Sequence, residues 1–396
     1  MPQFTRMRFA DVPSGRVPEP MAEPRMPRRV LIVTGQHFAA APRKVDLHFM
    51  ADALRAQGDH VDFLTCRLSP ISRLLKDGRY AYARSRVLNR WVEIGPGFEE
   101  FIWFAPFHPM NLKKPFLNRL SGLFFRRYAD LLPKAMRDRL PGYTHVLIES
   151  GPASLLTPLI RRKAPDAQIV YHAADRLKTI GVHPVIEEVL NESIGLYDLV
   201  HIMAEAMRPD FPADAPVLYL PHGISKGVFD QATASPYAKP LNAVSVGDML
   251  FDANVIDTLS AANPDWTFHL FGKKALPAKP RDNIVVHGEV PFEAIVPFIK
   301  FADIGLAPYR LSDGADYLSQ SSLKMIQYSY SRLPIVAPAF AAGGREHVCA
   351  YDPADPASIR ETFAKAQLLD RSRIDVSGIR TWEEAVQVIF PADRSG

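Results

Sequence analysis

The chain has 396 residues, of which 47% are hydrophobic and 23% are charged. This length is typical of two domains, and the composition excludes wholesale disorder. The two cysteines, Cys66 and Cys349, cannot form a disulfide framework or a cysteine-rich zinc site. No apolar run approaches the roughly 18 residues that a membrane-spanning helix needs, so a spanning protein is not expected.

Positive charge is concentrated in the first third of the chain. Residues 1–140 hold 24 Lys and Arg against 13 Asp and Glu, although the net charge of the whole chain is only +4. This excess favours an anionic partner, such as nucleic acid, anionic lipid or a phosphorylated substrate, or it is simply a solvated face. Residues 1–28, rich in arginine and proline, predict a disordered tail rather than a secretory signal.

From residue 29 onward, short apolar runs alternate with helical stretches, which is typical of βαβ units in a parallel sheet. We predict a first series of strands at 30–34, 61–65, 101–105, 145–149, 168–172, 198–203 and 217–220. Helices are predicted at 43–57, over most of 116–139, and from just after Gly151 to about residue 163. A second series of strands is predicted at 242–246, 266–271, 283–287, 303–307 and 334–337, with helices at 292–301, 321–331, 357–369 and 381–390.

The pattern predicts an α/β protein with two Rossmann-like domains that face a ligand cleft at the carboxyl ends of their strands. We expect an N-terminal domain at 29–222 and a C-terminal domain at 223–379. The join between them is rich in Gly, Ser and Pro. Residues 380–396 are expected to carry a helix that packs back on the N-terminal domain.

Several familiar sites are absent from the sequence. No G-x-G-x-x-G follows the first strand, which disfavours a dinucleotide dehydrogenase, and there is no P-loop motif. The chain contains neither H-E-x-x-H nor G-x-S-x-G. It also contains no Asp-x-Asp, which removes one common way to hold a divalent cation against a sugar-nucleotide diphosphate.

Asp175 follows the strand at 168–172. A carboxylate at the carboxyl end of a strand in the cleft can act as a general base. The alternative is a helix N-cap for the next segment. Gly247 follows the first strand of the second domain, where a glycine either lets a phosphate approach backbone N–H groups or merely makes a tight turn.

A third group of polar residues follows the strand at 303–307. Ser321 or Ser322 is predicted to cap a helix whose N-terminus favours a phosphate. Lys324 and Gln327 are three residues apart and share a face, where they could meet an anion and a ribose or base edge. Tyr309 can stack on a ring. The alternative is a capped surface helix with a solvated lysine.

These features resemble the GT-B glycosyltransferases, many of which carry Lys-x-x-Glu on the helix that faces the phosphates. The chain resembles more closely the membrane-associated glucuronosyltransferases of xanthan biosynthesis, glycosyltransferase family 70. The matching stretches are 37–38, 43–49, 148–151, 170–180, 246–252, 304–309 and 321–328.

The resemblance implies an inverting enzyme that needs no metal and no cofactor. It places the catalytic aspartate on Asp175, and it places the UDP contacts on Met249, Tyr309, Lys324 and Gln327. The diphosphate would be held by Lys324 and the helix start at Ser321 and Ser322, unless Lys324 holds the glucuronate carboxylate. A second family acid falls near Asp210. The sequence departs from the family at Arg176 and Ser225, which bears on the choice of sugar or acceptor.

The resemblance further implies UDP-glucuronate as donor and a mannose of a polyprenyl-diphosphate-linked oligosaccharide as acceptor. The N-terminal domain would bind the acceptor and an anionic membrane surface, at the cytoplasmic face of the inner membrane, and the C-terminal domain would bind the UDP-sugar. Residues 103–127 mix apolar and basic side chains as interfacial helices do, with further basic residues in 68–90. Alternatively, Phe116, Leu120, Phe124 and Tyr128 belong to the core.

Other functions remain compatible with the sequence. The donor could be another UDP-hexose, or the chain could be a sugar-nucleotide epimerase of GT-B type. A non-catalytic UDP-sugar-binding subunit of an assembly complex is a further alternative. A nucleic-acid binder is disfavoured, because no recognised basic-aromatic module is present.

Overall fold

A computed structural model of the chain describes residues 26–38 and 44–391. Most of the predicted disordered tail lies outside these residues. Arg43, which begins one predicted helix and one stretch of family resemblance, also lies outside them.

The first sheet is built from the N-terminal half of the chain. Its strands, β1 to β8 in chain order, are Arg29–Thr34, His60–Leu68, Trp91–Gly95, Phe98–Phe104, His145–Glu149, Gln168–Ala173, Leu199–Ile202 and Val217–Tyr219. They lie in the order β3-β4-β2-β1-β5-β6-β7-β8. Every neighbouring pair is parallel except β3 with β4.

The second sheet follows it in the chain. Its strands, β9 to β14, are Asn242–Val246, Thr267–Phe271, Ile284–Gly288, Ile304–Leu306, Ile335–Pro338 and Val348–Tyr351. Their order is β11-β10-β9-β12-β13-β14, and all neighbouring pairs are parallel. The predicted α/β class with two Rossmann-like sheets is therefore confirmed.

Helices connect the strands of both sheets. Within the described part of the chain α1 to α15 are Asp46–Ala56, Pro70–Leu74, Gly78–Ala83, Pro115–Phe125, Lys134–Arg137, Thr157–Lys163, Pro184–Glu192, Lys226–Gln231, Ala253–Ala262, Phe292–Lys300, Leu318–Ser321, Leu323–Tyr330, Ala339–Ala342, Pro356–Gln367 and Trp382–Ile389. None of the helices in residues 26–38 and 44–391 combines the length and hydropathy that crossing a membrane requires.

The stretch 116–139 is mostly helical, as predicted, but it is divided. Helix α4 ends at Phe125, and the chain continues through a 3-10 turn and Pro133 into the short helix α5. The antiparallel hairpin β3–β4 was not anticipated. Only Pro96 and Gly97 join these strands, and so short a loop cannot carry the crossover that a parallel pair needs.

The C-terminal helix returns to the first sheet, as predicted. The Trp382 ring stacks on Phe49 of α1, with centroids 5.4 Å apart and planes 4° from parallel. The Arg28 guanidinium donates to the Phe390 carbonyl oxygen at 2.5 Å. Gly223 lies against the same helix. A Cβ at Gly223 would come within 2.6 Å of the Thr381 carbonyl oxygen, so only glycine fits at this position between the two domains.

This return makes Trp382 a test of how the two halves are held together. Trp382 is buried, and Trp382→Ala is expected to lower the free energy of unfolding by about 3–5 kcal/mol because it leaves a cavity between α1 and α15. Val388 is exposed on the same helix, and Val388→Ala serves as the control, with a change of about 0.5 kcal/mol or less. Urea unfolding curves give both values. An equal loss of unfolding free energy in Trp382→Ala and Val388→Ala would show that the stack of Trp382 on Phe49 does not stabilise the protein.

Candidate active site

A cavity of about 260 Å³ opens between the two sheets, at the carboxyl ends of their strands. Elements of both sheets line it, as the topology predicts. All seven residues predicted for the site line this one cavity: Asp175, Met249, Tyr309, Ser321, Ser322, Lys324 and Gln327.

Asp175 lies just beyond the end of β6, on the first-sheet side of the cavity. The Tyr317 hydroxyl donates to Asp175 Oδ1 at 2.6 Å, and the Asp175 backbone N–H donates to Ser150 Oγ at 3.3 Å. Ser150 directly follows β5, the neighbouring strand. The backbone of Asp175 is thus held from the first-sheet side and its carboxylate from the second-sheet side, and the residue lines the cavity, where a carboxylate can act as a general base.

Tyr317 is a residue that sequence reasoning missed. It lies in a 3-10 turn between β12 and α11, on the side of the second sheet. Burial and the neighbouring Asp175 raise the pKa of Tyr317 well above its ordinary value, so its hydroxyl stays protonated and acts as a donor. No motif marks such a residue, because its role depends on a contact across the cleft with Asp175, which lies 142 positions earlier in the chain.

Two glycine turns form the floor of the cavity on the second-sheet side. Gly247 ends β9 with φ of 81°, and Gly272 ends β10 with φ of 133°. Both conformations disfavour any other residue. A Cβ on Gly272 would lie 3.1 Å from the Gly247 carbonyl carbon, so the turns are in close contact. Met249 follows the first turn, is 39% exposed, and lines the cavity.

The predicted capped helix exists, and its cap is Ser322. Ser322 Oγ accepts from the Met325 backbone N–H at 3.4 Å, and α12 begins at the next residue. Ser321 instead ends the short helix α11. The Tyr309 hydroxyl and Ser322 Oγ are 2.7 Å apart, which fixes the tyrosine ring beside the helix start. Burial raises the pKa of Tyr309 to about 12.

Lys324 and Gln327 both face the cavity from α12, as their spacing predicts. Lys324 Nζ lies 4.6 Å from the centroid of the Tyr309 ring. It also lies 4.0 Å from where a Cβ on Gly247 would stand. A cation, a helix N-terminus and a glycine turn therefore converge, which is an arrangement that stabilises a diphosphate.

A buried polar network supports the cavity wall on the first-sheet side. Asp46 Oδ2 and His172 Nε2 are 2.7 Å apart, and His172 Nδ1 and His201 Nδ1 are 3.0 Å apart. Burial alone would raise the pKa of Asp46, but the hydrogen bond and charge of His172, with smaller contributions from His222 and the Leu47 N–H, together hold that pKa well below its usual range. His222, which also lines the cavity, has its pKa lowered to about 4 by burial and is therefore neutral at pH 7.

The two departures from the family pattern lie outside the cavity lining. Arg176 Nε donates to Asp210 Oδ2 at 2.8 Å, and Arg176 Nη1 donates to Asp316 Oδ1 at 2.6 Å. Arg176 thereby joins the two domains beside Asp175. Asp210, the predicted second acid, forms an ion pair with Arg176. Ser225 precedes α8 and does not line the cavity.

Comparison with known proteins shows which family the chain belongs to. Residues 32–203 match the family described as "Glucuronosyltransferase GumK, N-terminal domain". The chain is also 30% identical to the UDP-glucuronate:glycolipid 2-beta-glucuronosyltransferase of Xanthomonas campestris pv. campestris, over 92% of this chain and 90% of that protein. The chain belongs to the GumK glucuronosyltransferase family. The predicted family resemblance is confirmed.

Solved structures with the same fold include glycosyltransferases of GT-B type. A UDP-forming α,α-trehalose-phosphate synthase from Burkholderia xenovorans aligns with a TM-score of 0.60 at 13% identity, over 91% of this chain and 98% of that chain. The trehalose-6-phosphate phosphatase N-terminal domain from Candida albicans aligns with a TM-score of 0.54 at 12% identity, over 92% and 97%. At this identity the likeness establishes that this GumK-family chain has the GT-B fold.

Proposed function

We propose that the chain transfers glucuronate from UDP-glucuronate to a mannose of a polyprenyl-diphosphate-linked oligosaccharide, with inversion, a β-linkage and no metal or cofactor. The observation that carries this proposal is the meeting of Asp175 with Lys324 and the α12 start in one cavity between the sheets. The GumK-family relative, which is named for UDP-glucuronate and a glycolipid, supports the choice of donor and acceptor.

In the proposed reaction, each of these groups has one role. UDP binds the second sheet through Met249, Tyr309 and Gln327, and Asp175 takes the proton from the acceptor hydroxyl. That oxygen attacks the anomeric carbon from the face opposite UDP, the bond from that carbon to the diphosphate oxygen breaks, and UDP leaves. Lys324 and the N-terminus of α12 stabilise the charge that develops on the leaving group. Ser321 and Ser322 shape that N-terminus.

The experiment follows UDP release by the purified protein with UDP-glucuronate and a lipid-linked, mannose-terminated acceptor, in the presence of a chelator. We expect release that requires the acceptor, prefers UDP-glucuronate over UDP-glucose and persists with the chelator. If UDP were released from UDP-glucose and not from UDP-glucuronate, the donor would be another UDP-hexose. UDP binding without release from either donor would favour a non-catalytic subunit.

We also propose that the protein binds an anionic membrane surface peripherally, at the cytoplasmic face of the inner membrane. Helix α4 supports this. Asn118, Gly122 and Phe125 face inward, while its large apolar residues are exposed, with Phe116 at 75% and Leu123 at 66%. Of the four residues that the alternative assigned to the core, only Tyr128 is buried, whereas Phe116, Leu120 and Phe124 are exposed. Trp103, at the start of the predicted segment, is also core.

A second exposed apolar group lies nearby in the chain. Leu74 and Leu75, at the end of α2, are 80% and 61% exposed. The side chain of Ser69, which caps α2, lies 2.8 Å from His108 Nδ1, so α2 is tied to the segment that leads into α4. Exposed apolar side chains beside basic residues are typical of interfacial binding. The basic residues on this face include Lys113, Lys114, Arg119 and Arg127, all of them exposed.

We expect the Phe116→Asp/Phe124→Asp variant to bind anionic vesicles at least about tenfold more weakly at low salt. Each buried aromatic is worth roughly 2 kcal/mol, and 1.4 kcal/mol corresponds to a factor of ten. Co-sedimentation with phosphatidylglycerol vesicles measures the change. Leu368→Asp is the control, because Leu368 is 86% exposed on the second domain and should leave vesicle binding unchanged. Equal pelleting of both variants would contradict the assignment of α4.

A further inference from the structure

Arg67 holds an unusual backbone conformation at the carboxyl end of β2. Its φ is 110°, which is costly for any residue but glycine. The pairing of β2 with β4 shifts register between Thr65 and Leu68, so Arg67 lies in a bulge. Bulges redirect side chains and concentrate beside functional sites. Strain at this position indicates that the direction of the Arg67 side chain matters.

Arg67 shares its surroundings with a second arginine. Burial lowers the pKa of Arg67, and the charge of Arg79 lowers it further. Arg79 Nη1 lies 3.9 Å from Asp77 Oδ1, while Arg79 Nε is buried without a hydrogen-bond partner among the described residues. Glu149, the other carboxylate near Arg67, already accepts from the Gly35 N–H at 2.9 Å and from the Thr34 hydroxyl.

Two histidines near the pair are uncharged. His37 and His108 both feel the charge of Arg79, and burial lowers the pKa of each to about 4, so both are neutral at pH 7. Arg67 carries no hydrogen bond from its guanidinium to any residue in 26–38 and 44–391. Guanidinium groups are the side chains that best recognise phosphate oxygens, and within the described part of the chain Arg79 Nε is a donor left open for one.

The pair stands on the same sheet edge as the proposed base. A Cβ on Gly35, which follows β1, would lie 3.4 Å from Arg67 Cδ. The Gly35 N–H donates to Glu149 Oε2 at 2.9 Å, and Ser150, the next residue, holds the Asp175 backbone. Four neighbouring strand ends thus run from β2 through β1 and β5 to β6. Three strand spacings separate Arg67 from Asp175, or about 14 Å.

The pair is connected in the chain with the proposed membrane surface. Helix α2, with Leu74 and Leu75 exposed at its end, lies in the chain between Arg67 and Arg79. His108, which contacts the α2 cap, is close enough to feel the charges of both arginines. Neither arginine lines the cavity assigned to the UDP-sugar. An anion bound here would lie between the bilayer and the sheet edge that leads to Asp175.

We propose that Arg67 and Arg79 form a binding site for the phosphate groups of the lipid-linked acceptor. The sugar chain then runs along the sheet edge from β2 to β6 and presents its terminal hydroxyl at Asp175. The phosphates lie at the fixed end of that path, next to the apolar residues that meet the lipid. This inference rests on the proposed function for its acceptor, but the anion site itself does not.

The test compares two acceptors with the same oligosaccharide, one carried on a polyprenyl diphosphate and one on a simple alkyl glycoside without phosphate. For Arg67→Gln/Arg79→Gln we expect the KM for the diphosphate acceptor to rise at least tenfold. The KM for UDP-glucuronate and the rate with the phosphate-free glycoside should not change. The control is Arg137→Gln/Arg162→Gln, which removes two exposed arginine charges from the same domain and should leave all three values unaltered.

Equal losses with both acceptors, or an equal effect of the control variant, would overturn the proposal. Weaker vesicle binding with an unchanged ratio of the two acceptor KM values would also overturn it, because the arginines would then serve bilayer headgroups. Should Arg67→Gln fail to fold, Arg79→Gln alone provides the same comparison, since Arg79 is only half-buried.

A binding measurement separates this inference from the proposed function. Calorimetric titration of inorganic pyrophosphate into the full chain, with UDP saturating the donor site, is expected to show binding that Arg67→Gln/Arg79→Gln abolishes. If the wild-type protein transfers no glucuronate but binds pyrophosphate in this way, the proposed function fails and the anion site stands. If the wild type binds no pyrophosphate under these conditions, the site is refuted whatever its activity.

Discussion

Asp175→Asn is expected to lower kcat by about 10²- to 10⁴-fold, which is the usual contribution of a general base. Asparagine keeps the shape and can still accept from Tyr317, so UDP binding should not change. The measurement is UDP release at saturating donor and acceptor, beside calorimetric titration with UDP. Full turnover by a variant that binds UDP would remove Asp175 from the mechanism.

Two further variants separate catalysis from position. Asp210→Asn makes the same chemical change at an acid that pairs with Arg176 outside the cavity, and kcat should stay within about threefold. Tyr317→Phe removes the donor that orients Asp175, and we expect a loss of about tenfold in kcat, with an unchanged KM for UDP-glucuronate. A loss in Asp210→Asn as large as in Asp175→Asn would shift the base to the second acid.

Lys324→Gln is expected to lower kcat/KM for UDP-glucuronate by about 10²- to 10³-fold, since it removes the cation that faces the leaving group. Lys324 lies against the Gly247 turn and over the Tyr309 ring, so its loss is not easily compensated by a neighbouring lysine. Lys273 also lines the cavity but is exposed. Lys273→Gln is therefore the control, with an expected loss of less than about tenfold.

The same variant separates the two roles that the sequence left open for Lys324. If Lys324 holds the diphosphate, Lys324→Gln weakens the binding of UDP and of UDP-glucuronate equally. If it holds the glucuronate carboxylate, UDP binding is unchanged and the preference over UDP-glucose disappears. Unchanged kcat/KM for both donors would exclude Lys324 from either role.

The strands could be predicted because each is a short apolar run that ends at a turn signal. In the second sheet, Gly247, Gly272 and Gly288 end three strands, and all three have the positive φ that makes glycine necessary. Strand β14 was missed, because it has only four residues and only two of them, Val348 and Tyr351, are buried, so its apolar pattern is weak. The hairpin β3–β4 was missed because its antiparallel pairing is set by the two-residue turn at Pro96 and Gly97, and the spacing of apolar residues does not reveal it.

The site could be predicted wherever function leaves a local pattern. Lys324 and Gln327 share a helical face, and Ser322 is a standard N-cap, so spacing alone placed them together. Spacing could not decide whether Ser321 or Ser322 caps the helix. The choice depends on where α11 ends and α12 begins, and the structure places that break between the two serines. Tyr317 and Arg67 escaped notice, and the ion pairs of Arg176 could not be foreseen, since each contact involves residues that are distant in sequence.

The sequence by itself determined that this protein has two parallel sheets, a cleft at their strand ends and a nucleotide-facing helix in the second half. These features follow from hydrophobic period, turn residues and capping, which act over a few neighbouring positions. Only the tertiary structure decided which residue holds Asp175, which arginine joins the domains, and which apolar residues of α4 face outward. Those outcomes depend on contacts across the cleft and on which helix face the neighbouring elements cover, and no local pattern encodes either.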